Sequence, residues 1–344
     1  MADLFYFVQR FRPGFEATSK EVDLLFRLNS NTFLHDLHLD GYFRRIFAKN
    51  HCSYHFLFYP LFWPLLYLMS RRKITHIYTG LPDSLYLPSL SKRRMVLTAT
   101  NYFSKSDLVP KLPYLRKVQK IIVQSDLQKD ILQSCNLPED KSAVMLPAVD
   151  LNKFNYHKAK GNFTILNASC PTKVKDLTKR GIFLILGLEQ ELLKQQVKVT
   201  MAWRKNLNET KKVLAGRFYE GNSPFNFIEN IRSDMNDEFA AHHCTIISYL
   251  QYDPNLKLVP LSVVESLAAG KPVLVSSQTG IAEIVTKEKC GAVFEPTKES
   301  LLKAIEDIQK NYFAYQKNCR KTAEKYFSQE IFLKKHEEIY NSIL

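Results

Sequence analysis

Short apolar runs alternate with amphipathic stretches along most of the chain, and this alternation limits the possible folds more than any other feature. Runs such as "RMVLTAT" and "KIIVQS" end in small or polar residues, as buried parallel strands do. A helix is predicted over "LQKDILQSC", directly after the second run, with Ser125 and Asp126 as capping residues. Repeated strand–helix units of this kind favour a parallel sheet with helices on its faces.

The pattern begins again after a polar, irregular stretch, "LNKFNYHKAKGN", and further strands are predicted at "FTILNAS", "VKVTMAW", "CTIISY" and "PVLVSS". A length of 344 residues suits two domains better than one. The sequence therefore predicts an α/β protein with two Rossmann-like, doubly wound domains, residues 1–155 and 156–315, and a C-terminal helix over 316–344. Because open α/β sheets bind ligands beyond the carboxyl ends of their strands, a cleft between the domains is the expected ligand site.

The chain is strongly basic, and its charge indicates anionic partners. Its 48 Lys and Arg against 34 Asp and Glu give a net charge of +14, spread along both halves. Such a field favours nucleotide phosphates, anionic lipid or nucleic acid. No helix-turn-helix, zinc-finger or RNA-binding signature accompanies the charge, so nucleic acid is not an expected partner. The sequence gives no oligomeric state.

The cysteines and histidines do not predict a metal site. The six cysteines are irregularly spaced, which favours free thiols in a reducing compartment over a disulfide framework. His242, His243 and Cys244 are adjacent and cannot all converge on one ion. We therefore expect neither a metal nor another cofactor.

One apolar segment, His55–Met69, raises the question of membrane contact. It has 15 residues with two prolines, whereas a spanning helix needs roughly 20 apolar residues. Two interpretations stay open: a buried or edge helix, or a peripheral membrane segment with Arg71, Arg72 and Lys73 beside lipid headgroups. The start of the chain, "MADLFYFVQRFRPG", lacks a signal-peptide pattern. We expect a cytoplasmic protein, at the inner face of the membrane under the second interpretation.

The stretch "LVPLSVVESLAAGKPVLVSSQTGIAEIVTKEKCGAVFEP" carries the most specific signal. It resembles the signature of the retaining glycosyltransferase family 4, which has the GT-B fold. The resemblance is good over about 117–155 and 245–344 and patchy in the rest of the chain. The resemblance implies that the N-terminal domain is the acceptor side, that the C-terminal domain binds a nucleotide sugar, and that the C-terminal helix packs back on the first domain.

The resemblance also implies an activity. The chain would transfer a sugar from a nucleotide-diphosphate sugar to a hydroxyl of a glycan or lipid-linked acceptor, with retention, as a hexosyltransferase without a metal. A second hypothesis is a non-catalytic partner subunit that binds a nucleotide or glycan through a degenerate site.

The same resemblance assigns residues to the donor. Glu265 would accept hydrogen bonds from the ribose hydroxyls, since two carboxylate oxygens match two vicinal donors. We predict that it lies at the start of a helix, where negative charge is favoured. Amides at the helix start and basic residues before Gly181 would hold the diphosphate. Each assignment has a structural alternative. Glu265 could be a surface glutamate that caps a helix, the basic residues before Gly181 could belong to a solvated charged loop, and Gly14 could lie in an ordinary turn. The expected donor-binding residues are Glu265, Arg180, Lys179, Lys173, Ser262, Val263, Val264 and Gly14.

Three positions depart from the family pattern at the sugar end. Lys257 stands eight residues before Glu265, where the family usually has a glutamate. Thr100 and Asn101 replace the usual His and Asp. We predict that these three are the catalytic positions. An acidic donor sugar, a local shift in alignment or a loss of transfer activity would each explain the departures.

Overall fold

The computed structural model describes residues 3–8, 11, 17–26, 32–38, 46–48, 51–55, 64, 68, 73–80, 94–171, 173–203, 213–214, 223–229 and 235–344. They form two compact units. The first comprises Met1–Ala148, Asp253–Leu258 and Gln329–Leu344, and the second comprises Val149–Tyr252 and Val259–Ser328.

The first unit contains an eight-stranded sheet in the order β3-β4-β2-β1-β5-β6-β7-β8, parallel throughout except for the β3–β4 pair. The strands are β1 (Leu4–Val8), β2 (Phe33–His38), β3 (Ile46–Ala48), β4 (His51–His55), β5 (Ile74–Thr79), β6 (Met95–Ala99), β7 (Lys120–Val123) and β8 (Ser142–Val144). The helices are α1 (Ala17–Phe26), α2 (Lys105–Leu108), α3 (Leu112–Leu115) and α4 (Asp126–Ser134). Short 3₁₀ helices span Val109–Lys111 and Glu139–Lys141.

Both faces of the strands β1, β5, β6 and β7 are buried, which explains why these strands are mainly apolar runs. In β1, Phe5 and Phe7 pack into one apolar cluster, while Tyr6 and its alternating neighbours pack into another on the opposite face. As predicted, Ser125 is the N-cap of α4, where its hydroxyl accepts a hydrogen bond from the Gln128 amide.

The second unit has a six-stranded, fully parallel sheet in the order β11-β10-β9-β12-β13-β14. Its strands are β9 (Thr164–Asn167), β10 (Lys198–Trp203), β11 (Phe225–Glu229), β12 (Cys244–Ile247), β13 (Val273–Ser276) and β14 (Gly291–Phe294). Its helices are α5 (Asp176–Lys179), α6 (Ile182–Leu186), α7 (Glu189–Lys194), α8 (Met235–Ala241), α9 (Leu261–Ala268), α10 (Ala282–Glu288) and α11 (Lys298–Tyr326), with a 3₁₀ turn at Leu151–Lys153. The last helix, α12 (Gln329–Ser342), belongs to the first unit.

The strand orders confirm the predicted fold class of two doubly wound α/β domains. In each sheet, the strand that comes first in the sequence, β1 or β9, has neighbours on both sides. The next strands of the chain extend the sheet on one side of it, and the later strands extend the sheet on the other side. The order therefore reverses between β1 and β5 in the first unit and between β9 and β12 in the second. Crevices beyond the carboxyl ends of strands at such switch points are where this type of sheet binds ligands.

The units differ from the predicted division at 155 and 315 in two ways. Residues 253–258 return to the first unit, which no sequence pattern indicated. The predicted C-terminal helix is two helices, because regular helix geometry ends at Phe327. Only the second of them, α12, lies in the first unit.

Helix α12 is anchored on the first sheet through a buried network of histidine and tyrosine side chains. The His76 ring bonds to the Tyr340 hydroxyl at 2.7 Å through Nδ1 and to the Thr98 hydroxyl at 2.7 Å through Nε2. The Tyr6 and Tyr340 hydroxyls are 2.9 Å apart. The His336 ring lies 5.8 Å from that of His76, and its Nε2 has no hydrogen-bond partner among the described residues. Burial lowers the pKa of His336 to about 4 and that of His76 well below its usual range.

We expect acid to destabilise the protein through this network. The unfolded chain protonates His336 near pH 6.5 and the folded chain only near pH 4, so the free energy of unfolding falls as pH falls through that window. His336 should account for a loss on the order of 2 kcal/mol between pH 6.5 and 5. Urea unfolding at both pH values should show a weaker pH dependence in His336→Phe. An unchanged pH dependence in that variant would contradict the prediction.

Candidate functional site

A tight turn in the second unit places a basic side chain at the switch point of its sheet. Gly181 has φ +66°, and a Cβ built on it would lie 1.8 Å from the Ser248 carbonyl oxygen. A side chain is excluded there by both the backbone conformation and the space. The Ser248 hydroxyl donates to the Arg180 carbonyl at 2.8 Å, and the Leu250 amide donates to the Lys179 carbonyl at 3.1 Å. The turn is therefore fixed against the residues that follow β12.

The Arg180 guanidinium is held beyond the ends of β9 and β12. Its Nη1 donates to the Ser169 hydroxyl, two residues after β9, at 2.7 Å. Its Nε is buried and has no hydrogen-bond partner among the described residues. A buried charged donor without an acceptor is costly, and an anionic oxygen would satisfy it. This geometry suits a phosphate ligand at the switch point.

The other predicted basic residues of this loop are placed differently. Lys179 is half-buried beside Arg180, whereas Lys173 is exposed. The exposure of Lys173 agrees with the alternative of a solvated charged loop. Gly14 lies outside the described residues, as does nearly all of the His55–Met69 segment.

Glu265 is buried within α9, with 5% of its surface exposed. Sequence reasoning placed it at the helix start, but the helix begins at Leu261 after the N-cap Pro260, so Glu265 is its fifth residue. The helix dipole therefore contributes less at Glu265 than expected, because its effect is confined to the first turn. The alternative of a surface capping glutamate does not fit either, because the side chain is buried and the N-cap residue is Pro260. A buried carboxylate needs hydrogen-bond donors around it.

The helix start offers fewer candidate amides than the sequence indicated. The Val263 amide already donates to the Pro260 carbonyl at 3.1 Å. The side chains of Val263 and Val264 are buried, while Ser262 is half-buried. Pro260 has no side-chain oxygen, so no side chain caps the first turn. The Val264 amide is at the position that pairs with the N-cap carbonyl inside a helix, so the Ser262 amide is the better candidate for an anion.

In the first unit, the three predicted catalytic positions lie together. Asn101 and Lys257 form an antiparallel backbone bridge. The Asn101 side chain donates to the Pro254 carbonyl at 3.0 Å, and the Gln128 side chain donates to the Asn101 carbonyl at 2.6 Å. Thr100 is fully buried beside them. The structure thus joins Thr100, Asn101 and the segment 253–258.

Lys257 has a counter-ion that sequence reasoning missed. Its Nζ lies 3.5 Å from Oε1 of Glu21 on α1, whose side chain is 1% exposed. The Tyr78 hydroxyl donates to the same carboxylate, and so does the Gln124 side chain at 3.2 Å. Glu21 directly precedes the buried Val22 in an amphipathic helix. A charged residue beside the apolar face of a helix was the only indication in the sequence that Glu21 could be buried. Because Glu21 balances Lys257, an acidic sugar is not required to explain the lysine.

Lys271, in the Gly-Lys-Pro turn, is structural. Its Nζ donates to the His242 carbonyl at 2.8 Å and to the Ala240 carbonyl at 3.3 Å, at the end of α8. A cation is favoured at a helix C-terminus. Burial nevertheless lowers the pKa of Lys271 to about 8. The described residues contain no cluster of three or more potential metal ligands and no helix that could span a membrane.

Part of the second unit matches a known family. Residues 176–326 match the model of the family described as glycosyl transferases group 1. These residues include Arg180, Glu265 and all of α9. A comparison with curated protein sequences gave no match.

Solved structures resemble the chain over nearly its whole length. HepE from Anabaena, solved with UDP and glucose, has a TM-score of 0.74 at 14% identity and covers 99% of this chain and 100% of its own. A glycosyltransferase from Rickettsia africae has a TM-score of 0.73 at 16% identity, covering 99% and 98%. WaaG, a glycosyltransferase of lipopolysaccharide biosynthesis, has a TM-score of 0.69 at 12% identity, covering 99% of both chains. At this identity the likeness shows the fold, with two Rossmann-like domains.

The Glu21–Lys257 pair generates a stability prediction. Lys257→Met leaves a buried carboxylate without its cation and should lower the free energy of unfolding by about 1–3 kcal/mol. Glu21→Gln/Lys257→Met should recover part of this loss, because the remaining amide carries no charge. Urea unfolding of both single variants and the double variant measures the coupling. Strictly additive single effects would show that the two charges do not interact.

Proposed function

We propose that this chain is a glycosyltransferase that moves a hexosyl group from a nucleotide-diphosphate sugar to an acceptor hydroxyl, with retention at the anomeric carbon. The observation that carries the proposal is the Arg180 guanidinium, which is fixed at the β9–β12 switch point and whose buried Nε has no acceptor among the described residues. The match of residues 176–326 to glycosyl transferases group 1 and the UDP complex of HepE support a nucleotide sugar as the ligand.

Each donor-side residue has a role that follows from its chemistry. Arg180 would hold the diphosphate and stabilise the negative charge that develops on it as the sugar leaves. The first-turn amides of α9 would add hydrogen bonds to phosphate. Glu265 would accept hydrogen bonds from the ribose hydroxyls, because two carboxylate oxygens match two vicinal donors. Lys179 is half-buried beside Arg180 and would add positive charge. These roles need no metal.

We propose a glycan or a lipid-linked glycan as the acceptor. The net charge of +14 supports an acceptor presented at an anionic surface, and a lipid-linked acceptor would place the reaction at the cytoplasmic face of a membrane. The acceptor would bind to the first unit, where Asn101, Thr100 and Lys257 lie together.

A second candidate is a non-catalytic partner subunit that keeps the nucleotide site. The arrangement of the first unit favours it: Lys257 is paired with Glu21, and Thr100 is fully buried. Lys257 and Thr100 therefore contribute to the packing of the first unit under either candidate function. The two candidates share nucleotide binding and differ in donor turnover.

Arg180→Ala should weaken nucleoside diphosphate binding roughly tenfold or more, because a hydrogen bond to a charged group contributes about 1.5–3 kcal/mol. Thermal-shift measurements on the wild type and the variants with UDP, GDP, ADP, CMP and TDP show which nucleotide base the site prefers. A nucleotide at a hundred times its dissociation constant should add about 2.7 kcal/mol of stability. Glu265→Gln should reduce the same shift. Lys175→Ala is the matched control, because Lys175 is an exposed basic residue of the same loop.

Three outcomes separate the candidates. A shift that is lost in Arg180→Ala and kept in Lys175→Ala supports the nucleotide site, and hydrolysis or transfer of the matching donor then supports the enzyme. Binding without any turnover, across sugars and acceptors, supports the partner subunit. A folded wild-type protein that no nucleotide stabilises would overturn both.

A further inference from the structure

Two segments of the second unit carry basic residues and no acidic ones. Residues 151–163 contain three lysines, and residues 308–323, within α11, contain three lysines and Arg320. Neither segment has an Asp or Glu. The first segment links the end of the first unit to β9, and the second lies beyond the middle of the long helix.

The fold brings these two segments together. Arg320 Nη1 donates to the Leu151 carbonyl at 3.0 Å and to the Phe154 carbonyl at 2.9 Å. The ring of Tyr312 lies 6.2 Å from that of Phe163, just before β9. Burial, and secondly the nearby phenol of Tyr156, raise the pKa of Tyr312. The two segments therefore form one surface at the amino ends of the strands, the edge opposite to Arg180.

This surface exposes aromatic rings among lysines. Phe313 is 68% exposed, the highest value among the large apolar residues described, and Tyr156 is 45% exposed. Regular helix geometry is interrupted at Asn311, two residues before Phe313. We call this surface the aromatic–basic face. Its exposed members are Lys153, Tyr156, Lys158, Lys160, Lys310, Phe313, Lys317 and Lys321.

Carboxylates near the face do not cancel its charge. Asp307 of α11 accepts hydrogen bonds from Asn311 and Tyr315. Helix α8, whose Asn236 accepts the Asn155 amide at 3.3 Å, carries Asp237 and Glu238. Glu324, directly after the second segment, forms an ion pair with Arg320 at 3.1 Å. Against these four acids stand six exposed lysines and Arg320.

We propose that the aromatic–basic face docks on the surface of an anionic lipid membrane. Lysines near such a surface each contribute favourable attraction to anionic headgroups. An exposed phenylalanine adds an apolar side chain that can enter the headgroup–acyl boundary, while tyrosine suits the interface itself. Exposed aromatic rings among the lysines distinguish this face from a purely basic surface, which would bind by charge alone. The proposal concerns residues of the second unit, not the His55–Met69 segment, and it does not depend on sugar transfer.

Vesicle flotation with the full chain tests this docking. The probes are vesicles of phosphatidylcholine alone and of phosphatidylcholine with phosphatidylglycerol, in buffer of moderate ionic strength. We expect binding to the mixed vesicles only, weakened roughly thirty-fold or more in Lys158→Glu/Lys160→Glu. The matched control is Lys105→Glu/Lys117→Glu, which makes the same charge change at exposed residues of the first unit. It should weaken binding less than threefold.

A second pair of variants tests the contribution of the exposed Phe313 ring to vesicle binding. Phe313→Ser should weaken binding several-fold, whereas Val109→Ser, at a 53% exposed position of the first unit, should not. Circular dichroism melting checks that all variants are folded.

Several results would overturn the proposal. These are absence of binding to the mixed vesicles, equal losses in the two charge-reversal variants, and no effect of Phe313→Ser. Equal losses would mean that the overall charge of +14 acts without a specific face. A protein that binds a short single-stranded oligonucleotide through Lys158 and Lys160, but not the vesicles, would also reject lipid in favour of nucleic acid.

Discussion

The close packing of Gly181 against Ser248 is the constraint on which the candidate nucleotide site depends. A residue with a side chain at position 181 would collide with the Ser248 carbonyl, so α5 and α6 could not approach the end of β12. That approach is what brings Arg180 within 2.7 Å of Ser169 beyond β9. The switch point lies between β9 and β12, and one guanidinium is thereby fixed where both strands end. Arg180 Nε, a buried donor without an acceptor in the part of the chain that the structure describes, stabilises the fold less than a paired donor would, and such groups are typical of functional positions.

Much of the fold could be predicted because its signals are local. Strand β1 is an unbroken apolar run since Phe5 and Tyr6 both enter cores, on opposite faces. The Ser125 cap depends on residues within one helical turn. The start of α9 was less predictable, because Pro260 caps it through its extended backbone and provides no side-chain signal. Glu265 therefore lies one turn further into its helix than the sequence suggested. The burial of Glu265, which decides against a surface role, could not be derived from its neighbours in the sequence.

The chemistry of the first unit could not be predicted, because its contacts join distant parts of the chain. Glu21 and Lys257 are 236 positions apart, and no local pattern relates them. Taken alone, Lys257 is a charge reversal relative to the glycosyltransferases that the chain resembles. Paired with Glu21, it is half of a neutral, partly buried couple that also involves Tyr78 and Gln124. A substitution pattern that looks like loss of function in sequence can therefore be a structural compensation. The pair joins the segment 253–258 to α1, and the backbone bridge between Lys257 and Asn101 joins it to the residues after β6, whether or not the unit supports catalysis.

The second unit concentrates opposite properties at the two edges of one sheet. At the carboxyl edge, positive charge is held in a fixed geometry by Gly181, Ser169 and Ser248, which suits a small anion with defined oxygen positions. At the amino edge, the lysines of the aromatic–basic face are exposed and mobile at their ends, which suits a diffuse, extended anionic surface. Screening by salt acts mainly on the second kind of charge, since buried groups are screened much less. A rise in ionic strength should therefore release the protein from anionic vesicles while leaving nucleotide affinity nearly unchanged. Two independent sites of this kind would let a strongly basic chain select a compact anion at one edge and an anionic surface at the other.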